Sequence, residues 1–240
     1  MYQQQSETSV MNTNEIVQAI KLQRNEKNIL GQKRFGITGA ESYGLSMPQL
    51  RSIAKSVGKN HALAQDLWAT QIREARHIAV MIAEKDKVTE RLMERWVKDF
   101  DSWDIVDNCC STLFCRTPFA YNKVLEWSNR KREFEKRAAF SLMAFLAVHD
   151  KKQSDKAFDE FLEIIIRESD DQRNFVKKAV NWALRQIGKR NIRLCNKAIA
   201  ACKTIHAKGD AASRWIANDA LRELEKYKQE GRIKSVGSIS

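Results

Sequence analysis

The stretch VKKAVNWALRQ, residues 176–186, decides how the chain is read. At about 100° of rotation per residue, Val176, Val180, Ala183, Leu184 and the following Ile187 gather on one side of a helix. Lys178, Trp182, Arg185 and Lys189 fall within about 60° of one another on the opposite side. The tryptophan is therefore off the core face. A cation followed by a small and apolar run recurs in EARHIAVMIAE (74–84), EKRAAFSLMAF (135–145) and SRWIANDALRE (213–223). Their cations Arg76, Arg137, Lys178 and Arg214 lie tens of residues apart, and a helix beginning at Trp103 falls near the middle of the longest gap.

Working outward, two prolines and nine glycines leave the 240 residues almost unpunctuated, and no period-two pattern suggests a strand. Apolar recurrence at three and four residues marks helices near 14–30, 48–57, 61–70, 73–84, 88–99, 103–115, 119–129, 133–148, 154–168, 172–188, 191–206 and 211–228. A second helix between each pair of similar ones suits an all-α, HEAT-like helical-repeat solenoid better than a closed bundle. Such a solenoid is curved, and one helix of each pair would line its concave, basic face. The expected organisation is a disordered tail over 1–12, a single repeat domain over 13–228 and a flexible tail over 229–240.

Charge narrows the partner. The formal net charge is +12, and a sequence pI near 9.5 favours nucleic acid over acidic small molecules. Residues 154–171 hold seven acids, whereas 173–193 hold seven cations and no acid, so the basic helix would line the binding surface and the acidic one face away. No apolar run approaches the roughly 18–20 residues of a membrane span, and the polar start lacks a secretory signal. The expectation is a cytoplasmic monomer, nucleoid-associated in a bacterium. Five cysteines without a CxxC read as small core residues, and four scattered histidines offer no metal-ligand pair, so neither a metal nor a cofactor is expected.

Three features stand out chemically. Trp182, flanked by cations on its own stripe, suits a phosphate backbone with an adjacent sugar or base, or else packs on a neighbouring helix and covers the cations' stems. Arg137 is the lone cation beyond the first turn of a helix that is otherwise apolar or small, which implies either an ion pair with a neighbouring helix or a grip on phosphate. In DFDSWDIVDNCC (99–110), Asp101 or Ser102 suits the N-cap and Asp104 the helix dipole, which leaves Asp107 without a local reason. It lies one turn after Trp103, making either a pocket for a cation or a salt bridge to a nearby arginine.

Together these residues resemble the AlkD-like DNA alkylation-repair family, HEAT-repeat DNA glycosylases that excise N3- and N7-alkylated purines. The resemblance runs from YGLSMPQLRSIAK through LWATQIREARHIAVMIAE, SWDIVD and KRAAFSLMAF to FVKKAVNWALRQIGKRN. It implies an active site of Trp103, Asp107, Arg137 and Trp182, with Arg185 on DNA; Lys177, Lys178, Lys189 and Arg190 of the same basic segment are expected to add DNA contacts. The implied partner is double-stranded DNA containing alkylated purines, and the implied reaction is that of a monofunctional glycosylase leaving an abasic site. A cationic base departs neutral, so the charge that needs stabilising develops on the deoxyribose. Asp107 would stabilise it and position the water, the two indoles would supply cation–π attraction, and Arg137 and Arg185 would hold flanking phosphates. Some members carry an aromatic where this chain has Ser102. The rival expectation is a non-catalytic repeat protein that binds damaged or branched DNA.

Overall fold

The computed structural model describes residues 11–233, which form thirteen α-helices and two short 3-10 turns, with no strand among the described residues beyond an isolated bridge between Glu41 and Ile72. The helices gather into two compact units, Met1–Thr89 and Glu90–Ser240, where the sequence pattern suggests one domain over 13–228.

The first unit contains α1 (Thr13–Leu22), α2 (Glu26–Arg34), α3 (Met47–Val57), α4 (His61–Ala69) and α5 (Arg73–Ile82). The expected single helix over 14–30 is two. Asn25 turns extended and its side chain accepts from the Asn28 N–H, so local capping restarts the helix after Gln23. Asn12 and Glu15 form a capping box, which places Asn12 in the fold rather than in the expected tail; residues 1–10 of that tail lie outside the described residues. The hub of this unit is the fully buried Glu74. Its carboxylate accepts from the Tyr43 N–H (3.1 Å), the Gly44 N–H (2.9 Å) and the Ser42 hydroxyl (3.0 Å), with Arg73 at 3.3 Å. A buried charge satisfied this fully pins the 42–44 loop against α5. Gly44 has φ +79°, and a Cβ there would stand 2.3 Å from the Asn25 carbonyl oxygen.

The second unit contains α6 (Glu90–Lys98), α7 (Trp103–Thr112), α8 (Ala120–Trp127), α9 (Glu133–His149), α10 (Asp155–Arg167), α11 (Asn174–Gly188), α12 (Ile192–Ala207) and α13 (Ala211–Gln229). Helices α7, α9, α11 and α13 pack each against the next, while α8 rests on α9, and α10 and α12 back α11 and α13. Helix α9 is buried on nearly every side because α6, α7, α8 and α11 all touch it, which explains its all-round apolar sequence. At Gly188 a Cβ would approach the Leu224 methyls at 2.6 and 2.9 Å and the Ala198 Cβ at 3.0 Å, so a bare backbone lets α11, α12 and α13 converge. The helix expected to end α13 at 228 closes at Gln229; residues 234–240 of the expected C-terminal tail lie outside the described residues.

The acidic and basic helices lie in different layers, and their charges meet one another as well as solvent. Glu160, Glu163 and Asp170 are exposed. Asp155 and Asp159 instead pair with Arg193 at 3.2 and 2.6 Å, and Asp159 also with Lys197 of α12 at 2.8 Å. Glu168 and Asp171 hold Lys136 of α9 at 2.5 and 3.3 Å.

Candidate functional site

Helix α7 starts at Trp103 because Ser102 turns extended at the N-cap, although its hydroxyl makes no capping hydrogen bond. Ile105, Val106 and Cys109 anchor the helix in the core. The same rotation turns Asp107 toward α9, where Arg137 approaches it side-on. Arg137 Nε donates to Asp107 Oδ1 at 3.2 Å and Nη2 donates to Oδ2 at 2.7 Å, while the Ser141 hydroxyl donates to Oδ1 at 2.7 Å. The third arginine nitrogen, Nη1, donates to the Phe175 carbonyl of α11 at 2.7 Å. The side chain of Arg137 is 7% exposed and that of Asp107 is 21% exposed. A carboxylate offers about four acceptor sites. Three hydrogen bonds from Arg137 and Ser141 leave one site on Oδ2 for solvent or substrate.

Of the two readings of Arg137, the ion pair is the one observed. All three guanidinium nitrogens are engaged within the protein, so Arg137 holds Asp107 and ties α9 to α11.

Trp182 is half-buried and meets Phe145 of α9 edge-to-face, with ring centroids 4.9 Å apart and planes at 89°. Phe145 in turn stacks on His149. Trp103 is half-buried at the first turn of α7. Asp107 of α7, Arg137 and Ser141 of α9 and the Phe175 carbonyl of α11 thus form one hydrogen-bonded cluster, and Phe145 of α9 with Trp182 of α11 forms a ring pair. Ser141 and Phe145 escaped the sequence reading. Their signal was the four-residue spacing from Arg137, which puts all three on one stripe of α9.

The cations of α11 divide into two groups. Arg185 and Lys189 both pair with Glu223 of α13. Burial pushes the Glu223 carboxyl up, but hydrogen bonds from Lys189 and Arg185 outweigh it and hold it below its ordinary value. Arg190 donates to the carbonyls of Ala147 (3.1 Å) and Gln153 (2.8 Å) and lies 4.3 Å from the Phe158 ring centroid, so it fastens the end of α11 to the start of α10. Lys177 and Lys178 have no ion-pair partner among the described residues. Residues 173–193 carry no acid of their own, but α13 returns acid, in Asp219 and Glu223, to the same surface. Cys110, buried against the Ala138 carbonyl, has its thiol pushed up by burial, as expected of a core cysteine.

A family model described as "DNA alkylation repair enzyme" matches residues 16–224. The chain belongs to that family. The match spans both helical units and contains every residue from Trp103 to Arg190 considered above. No curated protein matches the sequence. A solved structure described as "A new family of proteins related to the HEAT-like repeat DNA glycosylases with affinity for branched DNA structures" shares 20% identity, covering 94% of this chain and 98% of that one, with a TM-score of 0.76. The likeness establishes the fold of this DNA alkylation repair family member as all-α and HEAT-like. Among its described residues no helix is long and apolar enough to cross a membrane.

Proposed function

We propose that the protein is a monofunctional DNA glycosylase that hydrolyses the N-glycosidic bond of N3- and N7-alkylated purines in double-stranded DNA and leaves an abasic site. The observation that carries this reading is the Asp107 carboxylate, oriented by Arg137 and Ser141 and retaining one acceptor site on Oδ2. An alkylated purine already carries positive charge and leaves neutral, so the bond breaks without a general acid. The developing charge sits on the deoxyribose, where a fixed carboxylate stabilises it and orients the attacking water. Trp103 and Trp182 would face the same cationic sugar. Arg137 acts as the positioning counter-charge of Asp107, and phosphate contacts fall to Lys177, Lys178, Lys189 and Arg185, the last two after exchange of Glu223 for phosphate. The protein would act as a monomer, nucleoid-associated in a bacterial cytoplasm.

The test is release of free base and alkali-labile sites from duplex DNA containing 7-methylguanine, with Asp107→Asn and Trp182→Ala beside the wild type. Removing the carboxylate should raise the barrier by about 3 kcal/mol, roughly a hundredfold in rate. Wild-type release no faster than that of Asp107→Asn across several alkyl lesions would overturn the reading.

The Arg137 to Asp107 pair favours one alternative, because a carboxylate already neutralised by a buried arginine also suits a purely structural role. The protein would then bind damaged or branched DNA without cleaving it, as the structurally similar protein's affinity for branched DNA suggests. That outcome appears in the same assay as affinity without turnover.

A further inference from the structure

Trp215 on α13 has no place in the site described above, and its setting is unusual. It keeps 40% of its surface exposed. The core of α13 is made by Ala212, Ile216, Ala220 and Leu224, which leaves Trp215 outside the buried row. By helical rotation Trp215 shares the outer stripe of the half-buried Asp219 and the exposed Arg222 and Lys226 rather than the core side. The Lys177 ammonium of α11 stands 5.1 Å from its ring centroid. Lys177, its exposed neighbour Lys178 and the exposed Arg214 have no ion-pair partner among the described residues. Farther along the same helices the cations are occupied: Arg185 and Lys189 with Glu223, and Arg222 with Asp219. Unneutralised positive charge therefore gathers around the one exposed indole of this unit's described residues.

We propose that Trp215, with Lys177, Lys178 and Arg214, is a second nucleic-acid contact, a stacking platform for a nucleobase that has left the duplex stack. The inference rests on the reading that the protein binds DNA, and does not require catalysis. An indole offers a π-face to any base, and flanking ammonium and guanidinium groups take the adjoining phosphates. An intact duplex presents no free base face to an indole, so Trp215 contributes selectively when a base is unpaired. The platform begins within one turn of Phe175, whose carbonyl receives Arg137, so it adjoins the Asp107 cluster along α11.

The experiment compares the full-length protein on a short labelled duplex and on the same duplex carrying one unpaired adenine at its centre, by fluorescence anisotropy at fixed salt. Trp215→Ala is expected to weaken binding to the bulged DNA on the order of tenfold and to leave duplex binding within about twofold. Trp215→Phe should retain most of the bulge preference, and thermal unfolding of both variants should match wild type. Joint replacement of Lys177 and Lys178 by alanine should weaken binding to both DNAs and flatten its salt dependence. Equal loss on both DNAs, or no loss on either, from Trp215→Ala would overturn the platform while leaving DNA binding intact. A wild-type protein that binds neither DNA would overturn the DNA-binding reading and the platform with it.

Discussion

Arg137 grips Asp107 with two of its nitrogens and spends the third on the Phe175 carbonyl, so one buried guanidinium joins α7, α9 and α11. The pair therefore couples stability to the site. Asp107→Asn strands a guanidinium that is 7% exposed, and because Asp107 itself is partly solvated the cost should fall at about 2 kcal/mol, below the roughly 3–5 kcal/mol of a fully buried broken pair. Urea unfolding should show this as a lower midpoint with unchanged slope. Asp107→Asn and Arg137→Ala combined should cost less than the separate losses added, because each alone leaves the other's charge unpaired. Strict additivity would sink the coupling.

Ser141 is a positioning residue. Its hydroxyl, buried on α9, donates to Asp107 Oδ1 at 2.7 Å and, with Arg137 Nε, fixes the plane of the carboxylate. Ser141→Ala removes one hydrogen bond to a charged acceptor, worth about 1.5–3 kcal/mol, some of which solvent recovers at the partly exposed Asp107 carboxylate. The single-turnover rate on 7-methylguanine DNA should fall about tenfold with DNA affinity unchanged. Ser141→Thr, which keeps the hydroxyl, should restore much of the rate. A fall in affinity rather than in rate would show that Ser141 shapes the DNA surface instead.

How much of this was legible follows from the range of each interaction. Trp182, Arg137 and Asp107 could be singled out because each is misplaced on its own helix: an indole opposite the core stripe, a cation in an apolar helix and a carboxylate beyond the cap. The partner that completes each lies on another helix, and a helical wheel is blind to it. Asp107 and Arg137 were both suspected, yet their pairing depends on α7 packing against α9. Serine counts as small and neutral in a wheel, so Ser141 was invisible until its acceptor came within reach. The break at Gln23 was missed because apolar periodicity continues through it, while the restart at Asn25 is set by a single side-chain cap. The surface charge was overestimated for the same reason: Glu223 lies 38 residues from Arg185 in sequence and touches it in space.

Glu223 should act as a brake on DNA binding. It holds both Arg185 and Lys189, two of the cations best placed to meet phosphate. Glu223→Gln removes the competing charge while keeping the side chain's shape. Affinity for duplex DNA should rise about fivefold at low salt, and the logarithmic salt slope should steepen by about 1–2 as the freed cations displace counterions. Stability should change by less than about 1 kcal/mol because the pairs are partly solvated. An unchanged slope, measured by titration at several salt concentrations, would mean that neither cation reaches phosphate.

Acid should loosen the side-chain links from α6 to α8 before it harms the rest. Lys123 is almost wholly buried, with Glu90 at 2.6 Å, Glu94 at 3.0 Å and Glu126 at 2.6 Å. Burial pushes the Glu94 carboxyl up, but hydrogen bonds from Arg130, Trp127 and Lys123 outweigh it and hold it at about 2. A carboxyl whose folded pKa lies below its unfolded value binds its proton first in the unfolded chain. The stability it contributes is complete above its ordinary value of 4.5 and is lost as the pH falls toward 2. Discounted for partial exposure, this one group contributes on the order of 1–2 kcal/mol. The urea midpoint should therefore hold steady from about pH 7 to 5 and decline below that. Lys123→Met, which fills the same space without the ammonium, should be less stable than wild type at neutral pH, where it leaves the glutamates without their shared cation. Its midpoint should fall less steeply below pH 5 than that of wild type, since protonation of those glutamates then relieves repulsion. Parallel acid limbs in the two proteins would place the acid sensitivity elsewhere in the chain.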